Sequence, residues 1–422
     1  MTNNKTNRRE FIKLGGLVAL ASALPTNMDA APRMPKSDDL NYWTLLRNQF
    51  PLDKNIIYLN NGTMGPSPYP VIERVKKEID KTNVTMHYGG GKTDALEGLA
   101  RFVGVEKGEI ALTHNVTEGI NIVCWGLHLK KGDEVIVTSH EHVGNGLPWL
   151  FRSIIDKFKL VVVDLAPTAE ETLGNIKKAI TSKTKVIAVP HIPCTIGQVL
   201  PVKAICELAK QKNIFSFIDG AHGPGMLNLD LKDMGCDAYA SCCHKWMLGP
   251  KGTAFVYVNK EKMKEVDAKF VGGYSSKNWD LIQNPPFFEG LVDDAHRYHY
   301  GTQNAALYFG IAEAIDFQEK IGKEKIEKRI RFLGNYLQEG LLAIGKERVQ
   351  MLTPTEDQSK AALIAFKPVR KEYDKIVNEC KDANIHLRSV PENQINCIRV
   401  STHIYNSTAE IDVLLEKLQT LL

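Results

Sequence analysis

The sequence predicts an α/β fold: a mainly parallel sheet of the seven-stranded type with helices on both faces, followed by a smaller C-terminal α/β unit. Short apolar runs alternate with amphipathic helical patterns between residues 110 and 242. A second alternation of strands and helices follows a long helical pattern that starts at Ala305. Parallel strands need crossover helices, and these cover both faces of the sheet.

The elements follow in chain order. A helix is predicted at 38–50, and a strand at 56–59 that ends in a loop rich in Gly and Asn, where ligand contacts are common. Helices at 70–86 and 93–103 come next. The strands of the main sheet are predicted at 110–113, 134–138, 160–165, 186–192, 214–218 and 238–242, with helices between them at 117–127, 147–157, 169–180 and 202–211.

The C-terminal half begins with one more strand at 252–258, whose direction is left open. Residues 271–300 are rich in Gly, Pro and aromatic residues, and a loop of this length indicates function. One long helix at 305–342 precedes strands at 348–352, 361–366, 385–390 and 397–401 and helices at 372–383 and 408–421. The predicted division is a signal peptide (1–30), an N-terminal segment of the small domain (31–60), a large cofactor-binding domain (61–305) and a connecting helix with the small domain (306–422).

Composition and charge fit an ordinary soluble enzyme. The chain of 422 residues has a formal net charge of +4, and four basic against two acidic residues lie in its first thirty. The remainder is nearly neutral, which argues against a nucleic-acid partner. Eight cysteines occur without a Cys-x-x-Cys spacing, so no metal site is predicted and buried free thiols are expected.

The first thirty residues have the pattern of an export signal. Arg8 and Arg9 lie in Asn-Arg-Arg-Glu-Phe-Ile-Lys, before an apolar run at 14–24. This pattern predicts a twin-arginine (Tat) signal, the Tat export machinery as a partner and a periplasmic location. The apolar run is too short to cross a bilayer, so no stable membrane insertion is expected after cleavage. The alternatives are a basic N-terminal helix and an uncleaved anchor.

An acid and a lysine follow two neighbouring predicted strands. Asp219 ends the strand at 214–218, and Lys245 lies just beyond the strand at 238–242. A carboxylate can hold a pyridine nitrogen protonated while a lysine forms an imine with the aldehyde on the same ring. The pattern therefore predicts pyridoxal 5'-phosphate (PLP) as the cofactor and Lys245 as the catalytic residue. A turn carboxylate and a surface lysine are the ordinary alternatives.

Other polar residues supply candidate contacts to the cofactor. His222 could donate to the phenolate oxygen of the ring, and His142 could stack on the ring face. Thr117 begins a helix after a strand, where backbone N–H groups suit a phosphate, and Thr302 begins the long helix at 305. For both threonines the alternative role is a simple helix N-cap.

Candidate substrate contacts lie in the loop after residue 59 and in the small unit. Asn61 belongs to the loop, and Arg399 lies within an apolar strand, where a buried guanidinium demands a partner. The α-carboxylate of a substrate would satisfy Arg399 through a bidentate pair. An internal salt bridge is the alternative, and Arg388 is the competing carboxylate clamp.

Five ordered motifs give the chain a family resemblance over roughly residues 58–405. They are Asn-Val-Thr-Glu-Gly-Ile-Asn at 115–121, Glu-His at 141–142, Asp-Gly-Ala-His at 219–222, Ser-Cys-Cys-His-Lys at 241–245 and Arg-Val-Ser-Thr-His-Ile-Tyr-Asn at 399–406. Together they resemble the PLP-dependent class V aminotransferase superfamily, and most of all its isopenicillin N epimerase-like branch, near the cysteine desulfurases. The resemblance implies a fold-type I PLP-dependent transferase that works as a homodimer with sites at the subunit interface.

The resemblance also implies a role for each matched residue. Lys245 resembles the imine lysine, Asp219 the partner of the pyridine nitrogen and His222 the partner of the phenolate oxygen. His142 resembles the ring-stacking histidine and Arg399 the carboxylate clamp. Thr117 and His244 resemble phosphate ligands in the same subunit. Thr302 resembles the phosphate contact lent by the second subunit.

Two departures set this chain apart from the desulfurases. Those enzymes place a nucleophilic Cys on a loop before the clamp arginine, whereas residues 384–389 contain none and Cys380 falls in a helical pattern. At the position of Cys194, the desulfurases share an Asn that lies beside the cofactor.

These observations predict a PLP-dependent enzyme that acts at Cα of an amino-acid or peptide-derived amine, as an epimerase or a transaminase. A cysteine desulfurase or C–S lyase is the enzymatic alternative. The alternative from another class is a non-catalytic exported binding protein on the same scaffold. Export favours a substrate made or modified outside the cytoplasm.

Overall fold

The structure is a computed structural model that describes residues 34–36, 41–87 and 89–422, and residues 35–422 form one compact unit. The predicted export signal lies outside the described residues. No helix among the described residues is long and apolar enough to cross a membrane. The predicted division into domains stays a prediction.

The described strands, in chain order, are β1 (Ile57–Tyr58), β2 (Ile110–Thr113), β3 (Glu134–Thr138), β4 (Lys159–Val163), β5 (Thr184–Pro190), β6 (Phe215–Asp219), β7 (Ala238–Cys242), β8 (Ala254–Val258), β9 (Trp279–Asp280), β10 (Phe287–Phe288), β11 (Val349–Met351), β12 (Leu363–Pro368), β13 (Ile385–His386), β14 (Arg388–Val390) and β15 (Cys397–Ser401). The described α-helices are Tyr42–Arg47, Tyr69–Thr85, Lys92–Val103, Val116–Gly126, Val143–Asp156, Ala169–Ala179, Val202–Gln211, Leu231–Met234, Ala305–Ile321, Lys323–Ile344, Tyr373–Asp382 and Thr408–Leu421.

The main sheet has seven strands in the order β2-β8-β7-β6-β5-β3-β4. Pairing is parallel from β7 through β6, β5 and β3 to β4, and β8 pairs antiparallel with both β7 and β2. The apolar strands bury both faces: Ile187 belongs to one buried cluster, and its neighbours Val186 and Ala188 belong to the other. The predicted mainly parallel α/β sheet is confirmed, and β8 is antiparallel.

The C-terminal part forms an antiparallel sheet of four strands in the order β11-β12-β15-β14. Its own buried cluster includes Leu337, Ile364, Val400 and Leu414. The N-terminal segment joins this part, because β1 pairs in parallel with β13 and Asn60 bridges to Ser401. The loop after β1 is thereby placed beside β15.

The structure corrects three predicted elements. The single helix expected at 305–342 is two helices, Ala305–Ile321 and Lys323–Ile344, because Gly322 between them has a φ of 98°, outside the helical range. The strand expected at 385–390 is two short strands, β13 and β14, which belong to different sheets. The described part of the first predicted helix is limited to Tyr42–Arg47.

Candidate active site

Lys245 and His222 meet at the carboxyl-terminal edge of the central strands. Lys245 Nζ lies 3.5 Å from His222 Nε2, although the two residues follow different strands. Both Lys245 and Arg399 lower the pKa of His142 and of His222, so these four side chains share one electrostatic environment. The structure therefore brings together four of the residues singled out in the sequence.

Trp246 fixes the tautomer of His222. The indole N–H of Trp246 donates to His222 Nδ1 at 2.9 Å, and an indole N–H can only donate. Burial is the main cause that lowers the pKa of His222 well below its usual value, so the ring is neutral and carries its proton on Nε2. That N–H faces Lys245, as the predicted contact with a phenolate oxygen requires. Sequence reasoning missed Trp246, whose only signal is its position next to Lys245.

Asp219 ends β6 as a buried carboxylate. Its Oδ1 accepts the backbone N–H of Ala221 at 3.0 Å. Burial raises the pKa of Asp219, and the N–H of Ala221 and the charge of Lys245 partly oppose that rise. A cation placed against the carboxylate would stabilise its ionised form further.

Thr117 is not the N-cap of its helix, which was the alternative role considered for it. Asn115 is the N-cap of the helix Val116–Gly126, since its side chain accepts the N–H of Glu118 at 2.9 Å. Thr117 is the second residue of that helix. Gly119 lets the helix approach the sheet, because a Cβ there would lie 3.0 Å from Cβ of Ala240.

His142 is the N-cap of the helix Val143–Asp156, with its Nδ1 accepting the N–H of Gly144 at 3.0 Å. A Cβ on Gly144 would lie 2.7 Å from Thr117 Oγ1 and 3.0 Å from His142 Nδ1. The two helix N-termini therefore meet at a space that a glycine leaves open. Burial, together with the charge of Lys245, lowers the pKa of His142 to about 4, so its ring is neutral at pH 7.

The buried Glu141 fixes the backbone before His142. It accepts from Thr138 N at 2.9 Å, from Thr138 Oγ1 at 2.8 Å and from Asn145 Nδ2 at 2.7 Å. Burial raises the pKa of Glu141 to about 7. Its hydrogen bonds tie the end of β3 to the first turn of the helix that His142 caps.

His244 has a restricted role as a phosphate ligand. Its Nδ1 lies 3.2 Å from the carbonyl oxygen of Thr253, so Nδ1 carries the proton that is donated there. Nε2 can then donate to an anion only when the ring is protonated. Burial, the largest cause, lowers the pKa of His244, and a nearby phosphate dianion would oppose that shift.

Arg399 is a fully buried guanidinium that donates three hydrogen bonds, all of them to neutral groups. Its Nη1 donates to the Cys194 carbonyl at 2.9 Å, and its Nη2 donates to Asn60 Oδ1 at 3.2 Å and Thr63 Oγ1 at 3.0 Å. No carboxylate within the described ranges lies at ion-pair distance, and Nε is buried without a partner. Burial, with Arg388 as the second cause, lowers the pKa of Arg399 to about 9.

Arg388 differs from Arg399 in having an acid of its own. It pairs with Glu392, four residues along the chain. The two arginines are direct partners across β14 and β15, so their side chains point to the same face of the small sheet. The internal salt bridge considered for Arg399 is therefore found at Arg388.

Asn61 lies in the loop after β1, next in sequence to Asn60, which accepts from Arg399. Its Oδ1 accepts the Tyr405 hydroxyl at 3.0 Å, while its Nδ2 is buried and has no partner in the described part of the chain. The next residue, Gly62, approaches Arg399 closely, since a Cβ there would lie 3.1 Å from Nη2. Asn61 Nδ2 and Arg399 Nε are thus two buried donors without acceptors, which a ligand carboxylate could supply.

Thr302 lies in a separate place. It is exposed and lines a cavity of about 140 Å³ with Lys92 and His299, and Asn304 rather than Thr302 caps the following helix. The predicted roles of the individual site residues stay predictions.

The cysteines bear on the comparison with desulfurases. All eight are buried free thiols, as expected, and Cys380 lies within the helix Tyr373–Asp382. Cys194 is buried in the loop that follows β5, where its carbonyl accepts from Arg399. No group of side chains in the described chain could hold a metal ion.

The residues at this edge fit PLP. The space beside Gly144 would be filled by a single added Cβ, and it lies between the hydroxyl of Thr117 and the ring of His142. The buried carboxylate of Asp219 and the Nε2–H of His222 offer the acceptor and the donor that the ring nitrogen and the phenolate oxygen need.

A larger cavity, of about 610 Å³, lies elsewhere. It is lined mainly by aromatic and apolar side chains, among them Trp125, Phe270 and Tyr300. Neither Lys245 nor Asp219 lines it. The titratable groups converge instead at the polar edge around Lys245.

The chain is similar to known proteins over most of its length. The profile of the family described as aminotransferase class-V matches residues 57–414. The chain is 28% identical over 396 residues to a probable cysteine desulfurase of Pyrococcus abyssi, covering 89% of this chain and 96% of the relative. It is 27% identical over 402 residues to the isopenicillin N epimerase of Amycolatopsis lactamdurans, covering 90% and 98%.

Solved structures share the fold. The enzyme C-DES, with glycine covalently linked to its PLP cofactor, matches with a TM-score of 0.81 at 25% identity, over 88% of this chain and 98% of that chain. The apo cysteine desulfurase of Thermococcus onnurineus matches with a TM-score of 0.79 at 24% identity, over 89% and 96%. The fold-type I prediction is confirmed, and the matches support PLP as the cofactor.

Proposed function

The chain belongs to the class-V aminotransferase family, and we propose that it is a PLP-dependent enzyme acting at Cα of an amine that carries a carboxylate. The finer proposal is an isopenicillin N epimerase-like enzyme or an aminotransferase. The observation that carries it is the buried Arg399, which has no acid partner among the described residues and shares its surroundings with Lys245. When bound, PLP supplies an aldehyde for the substrate amine and an electron sink for a carbanion at Cα.

Each side chain of the candidate site has a separate role in this proposal. Arg399 and Asn61 bind and orient the carboxylate of the substrate, which fixes its Cα relative to Lys245. Lys245 takes the proton from Cα and can return it. Asp219 holds a negative charge where the ring nitrogen needs it, and His222 holds its proton on Nε2 through Trp246. The atom that receives the proton would decide between the two reactions: epimerisation would return it to Cα on the opposite face, whereas transamination would deliver it to the former aldehyde carbon of PLP.

The decisive experiment is chemical trapping at Lys245. The purified chain should absorb in the visible range when loaded with PLP, and borohydride should leave a pyridoxyl adduct on Lys245 in a peptide map. Lys245→Ala should abolish the adduct. The control is Lys251→Ala, since Lys251 lies in the same loop and donates to Ser67. A loaded chain with its adduct elsewhere would refute the assignment, and an adduct without turnover of any amine would favour the non-catalytic binding protein.

A C–S lyase is the second candidate, and the likeness to C-DES favours it. Another structure of C-DES is described as a cystine C–S lyase in complex with cysteine persulfide, and it matches at 25% identity with a TM-score of 0.80. A desulfurase would also need an accessible cysteine to accept sulfur, and every cysteine is buried here. Sulfide release from cystine or cysteine tests both, and its absence leaves the epimerase and aminotransferase proposals.

We propose that the enzyme is a homodimer in which Thr302 is lent to the partner's site. The exposure of Thr302 supports this arrangement. Mixing inactive Lys245→Ala chains with Thr302→Ala chains should restore activity, because one of the two hybrid sites then has both native residues. No recovery after subunit exchange would place Thr302 in its own subunit's site or outside the chemistry.

Export to the periplasm by the twin-arginine route is also our proposal, resting on Arg8 and Arg9 in the N-terminal sequence. Fractionation should find the chain in the periplasm, and Arg8→Lys with Arg9→Lys should keep it in the cytoplasm. The control is Lys13→Arg, which keeps the pair intact. Full complementation of a deletion strain by a leaderless form would argue against an extracytoplasmic substrate.

A further inference from the structure

A cavity with an excess of positive charge lies between the helices Tyr42–Arg47 and Lys323–Ile344. Its volume is about 590 Å³, which is enough for a small organic molecule. Its lining includes three cations, one carboxylate and two aromatic rings: Lys325, Lys328, Arg329, Glu324, Trp43 and Phe332. No residue of the candidate active site lines this cavity.

The three cations have no acid partner among the residues that the structure describes. Glu324, the carboxylate in the lining, is exposed. Gly322 also lines the cavity, and no side chain caps the helix that begins after it, so the partial positive charge of this helix end adds to that of the cations. Like charges placed together repel, and an anion between them would relieve that repulsion.

Arg329 has more donors than the protein around it has acceptors. Its Nη2 donates to the Asn406 carbonyl oxygen at 2.9 Å. Its Nε is buried and has no hydrogen-bond partner in the described chain. The guanidinium carbon lies 5.3 Å from the centre of the Trp43 ring and 5.5 Å from the centre of the Phe332 ring. The two rings hold the guanidinium in place, but neither one neutralises its charge.

Lys325 brings a second cation to the same aromatic ring. Its Nζ lies 3.3 Å from the centre of the Tyr42 ring and 5.6 Å from the centre of the Trp43 ring. Lys325 and Arg329 are four residues apart on one helix, a spacing at which like charges are destabilising. Burial lowers the pKa of both side chains, and no acidic group within the described ranges opposes this shift. The cost of holding the two cations together is therefore not offset by a carboxylate of the protein.

We propose that this cavity binds a small organic anion, a carboxylate or a phosphate ester with an apolar body. Lys325 and Arg329 bind the anionic group, and the apolar body packs against Trp43 and Phe332. The Phe332 side chain suits this contact because half of it is exposed. The site does not depend on the proposed function, because its lining is separate from the residues around Lys245.

Calorimetric titration of the PLP-loaded full chain with benzoate and with inorganic phosphate, at constant ionic strength, tests the proposal. Lys325→Gln should weaken binding at least about fivefold and Arg329→Gln at least about tenfold. The matched control is Lys375→Gln, which removes the same charge from an exposed lysine paired with Glu372 at 2.7 Å and should leave binding unchanged. Equal weakening by all three variants would overturn the proposal, and so would a native chain that binds neither probe.

Phe332→Glu tests the site without removing a cation. The new carboxylate would lie three residues from Arg329 on the helix surface, so the variant should unfold in urea no earlier than the native chain and should still lose binding of both probes. Retained binding in this variant would contradict the assignment. Tighter binding of benzoate than of phosphate would identify a carboxylate ligand, and the reverse order a phosphate ester. Arg399→Met should keep the binding, whereas its loss there would assign the anion to the candidate active site and overturn the proposal.

Discussion

Replacing Arg399 by Met should abolish binding of substrate carboxylates and leave the stability of the PLP-free chain nearly unchanged. Burial lowers the pKa of Arg399 from 12.5 to about 9, which corresponds to about 5 kcal/mol of cost for keeping the guanidinium charged in the folded chain at pH 7. Its three donated hydrogen bonds go to neutral acceptors, so each contributes at the lower end of the usual range, about 1.5–2 kcal/mol, or about 4.5–6 kcal/mol together. The two contributions nearly cancel, so we expect a change below about 2 kcal/mol.

Arg152 is the matched control, because it is also a buried arginine but has an acid partner. Arg152 Nε lies 2.7 Å from Asp156 Oδ2, and its Nη2 donates to the Leu127 carbonyl at 2.8 Å. Arg152→Met leaves these acceptors without their cation, so it should cost about 3–5 kcal/mol. The opposite outcomes expected at two buried arginines follow from what surrounds each one.

Urea unfolding of the PLP-free chains measures the stability of both variants. Thermal shifts with an amino acid and with its amide measure recognition of the carboxylate, and the difference between the two ligands should vanish in Arg399→Met. A loss of stability above 3 kcal/mol in Arg399→Met, as in Arg152→Met, would refute the interpretation that a ligand carboxylate supplies the acidic partner of Arg399. A retained preference for the amino acid would do the same and would point to Arg388.

Three further outcomes are expected. Trp246→Phe keeps a ring against His403 but removes the donor to His222 Nδ1, so nitrogen NMR of the PLP-free chain should show two tautomers of His222 instead of one. Gly144→Ala places a Cβ 2.7 Å from Thr117 Oγ1 and should weaken PLP binding at least tenfold in a fluorescence titration, with unfolding in urea little changed. Three histidines have pKa values lowered to about 4, mainly by burial, so the unfolded chain binds more protons between pH 4 and 6.5. These histidines are His142, His191 and His403. The free energy of unfolding should be steady above pH 7 and should fall by on the order of 1–2 kcal/mol for each fully buried ring by pH 5. A flat profile would contradict these assignments.

The main sheet was predictable because its strands are apolar on both faces and are separated by turn residues. β2, β3 and β7 have the expected bounds, and the others differ by a few residues. The break at Gly322 was missed because the apolar helical pattern continues on both sides of it, so periodicity alone does not reveal the positive φ. The split of β13 from β14 depends on which distant strands each one meets, and that information is not local.

The site was predictable where a residue follows a strand and unpredictable where its partner comes from a distant segment. Asp219 and Lys245 stand at strand ends, which marks them in the sequence. Whether Arg399 or Arg388 lacks an acid depended on the placement of Glu392, which only the folded chain reveals. The lining of the 590 Å³ cavity comes from segments more than two hundred positions apart, and no local pattern joins Trp43 to Arg329.

A continuous set of contacts links the two ends of the candidate site. Trp246 donates to Nδ1 of His222, whose Nε2 faces Lys245, and the carbonyl oxygen of Trp246 lies 3.1 Å from His403 Nε2. The His403 ring stacks on Trp246 and on Tyr405, whose hydroxyl donates to Asn61, the neighbour in sequence of the Asn60 that accepts from Arg399. The rings of Trp246, His403 and Tyr405 are buried and packed, so they join the surroundings of Lys245 to those of Arg399. Disrupting the stack should therefore displace both ends, and carboxylate recognition at Arg399 and proton transfer by Lys245 should be lost together.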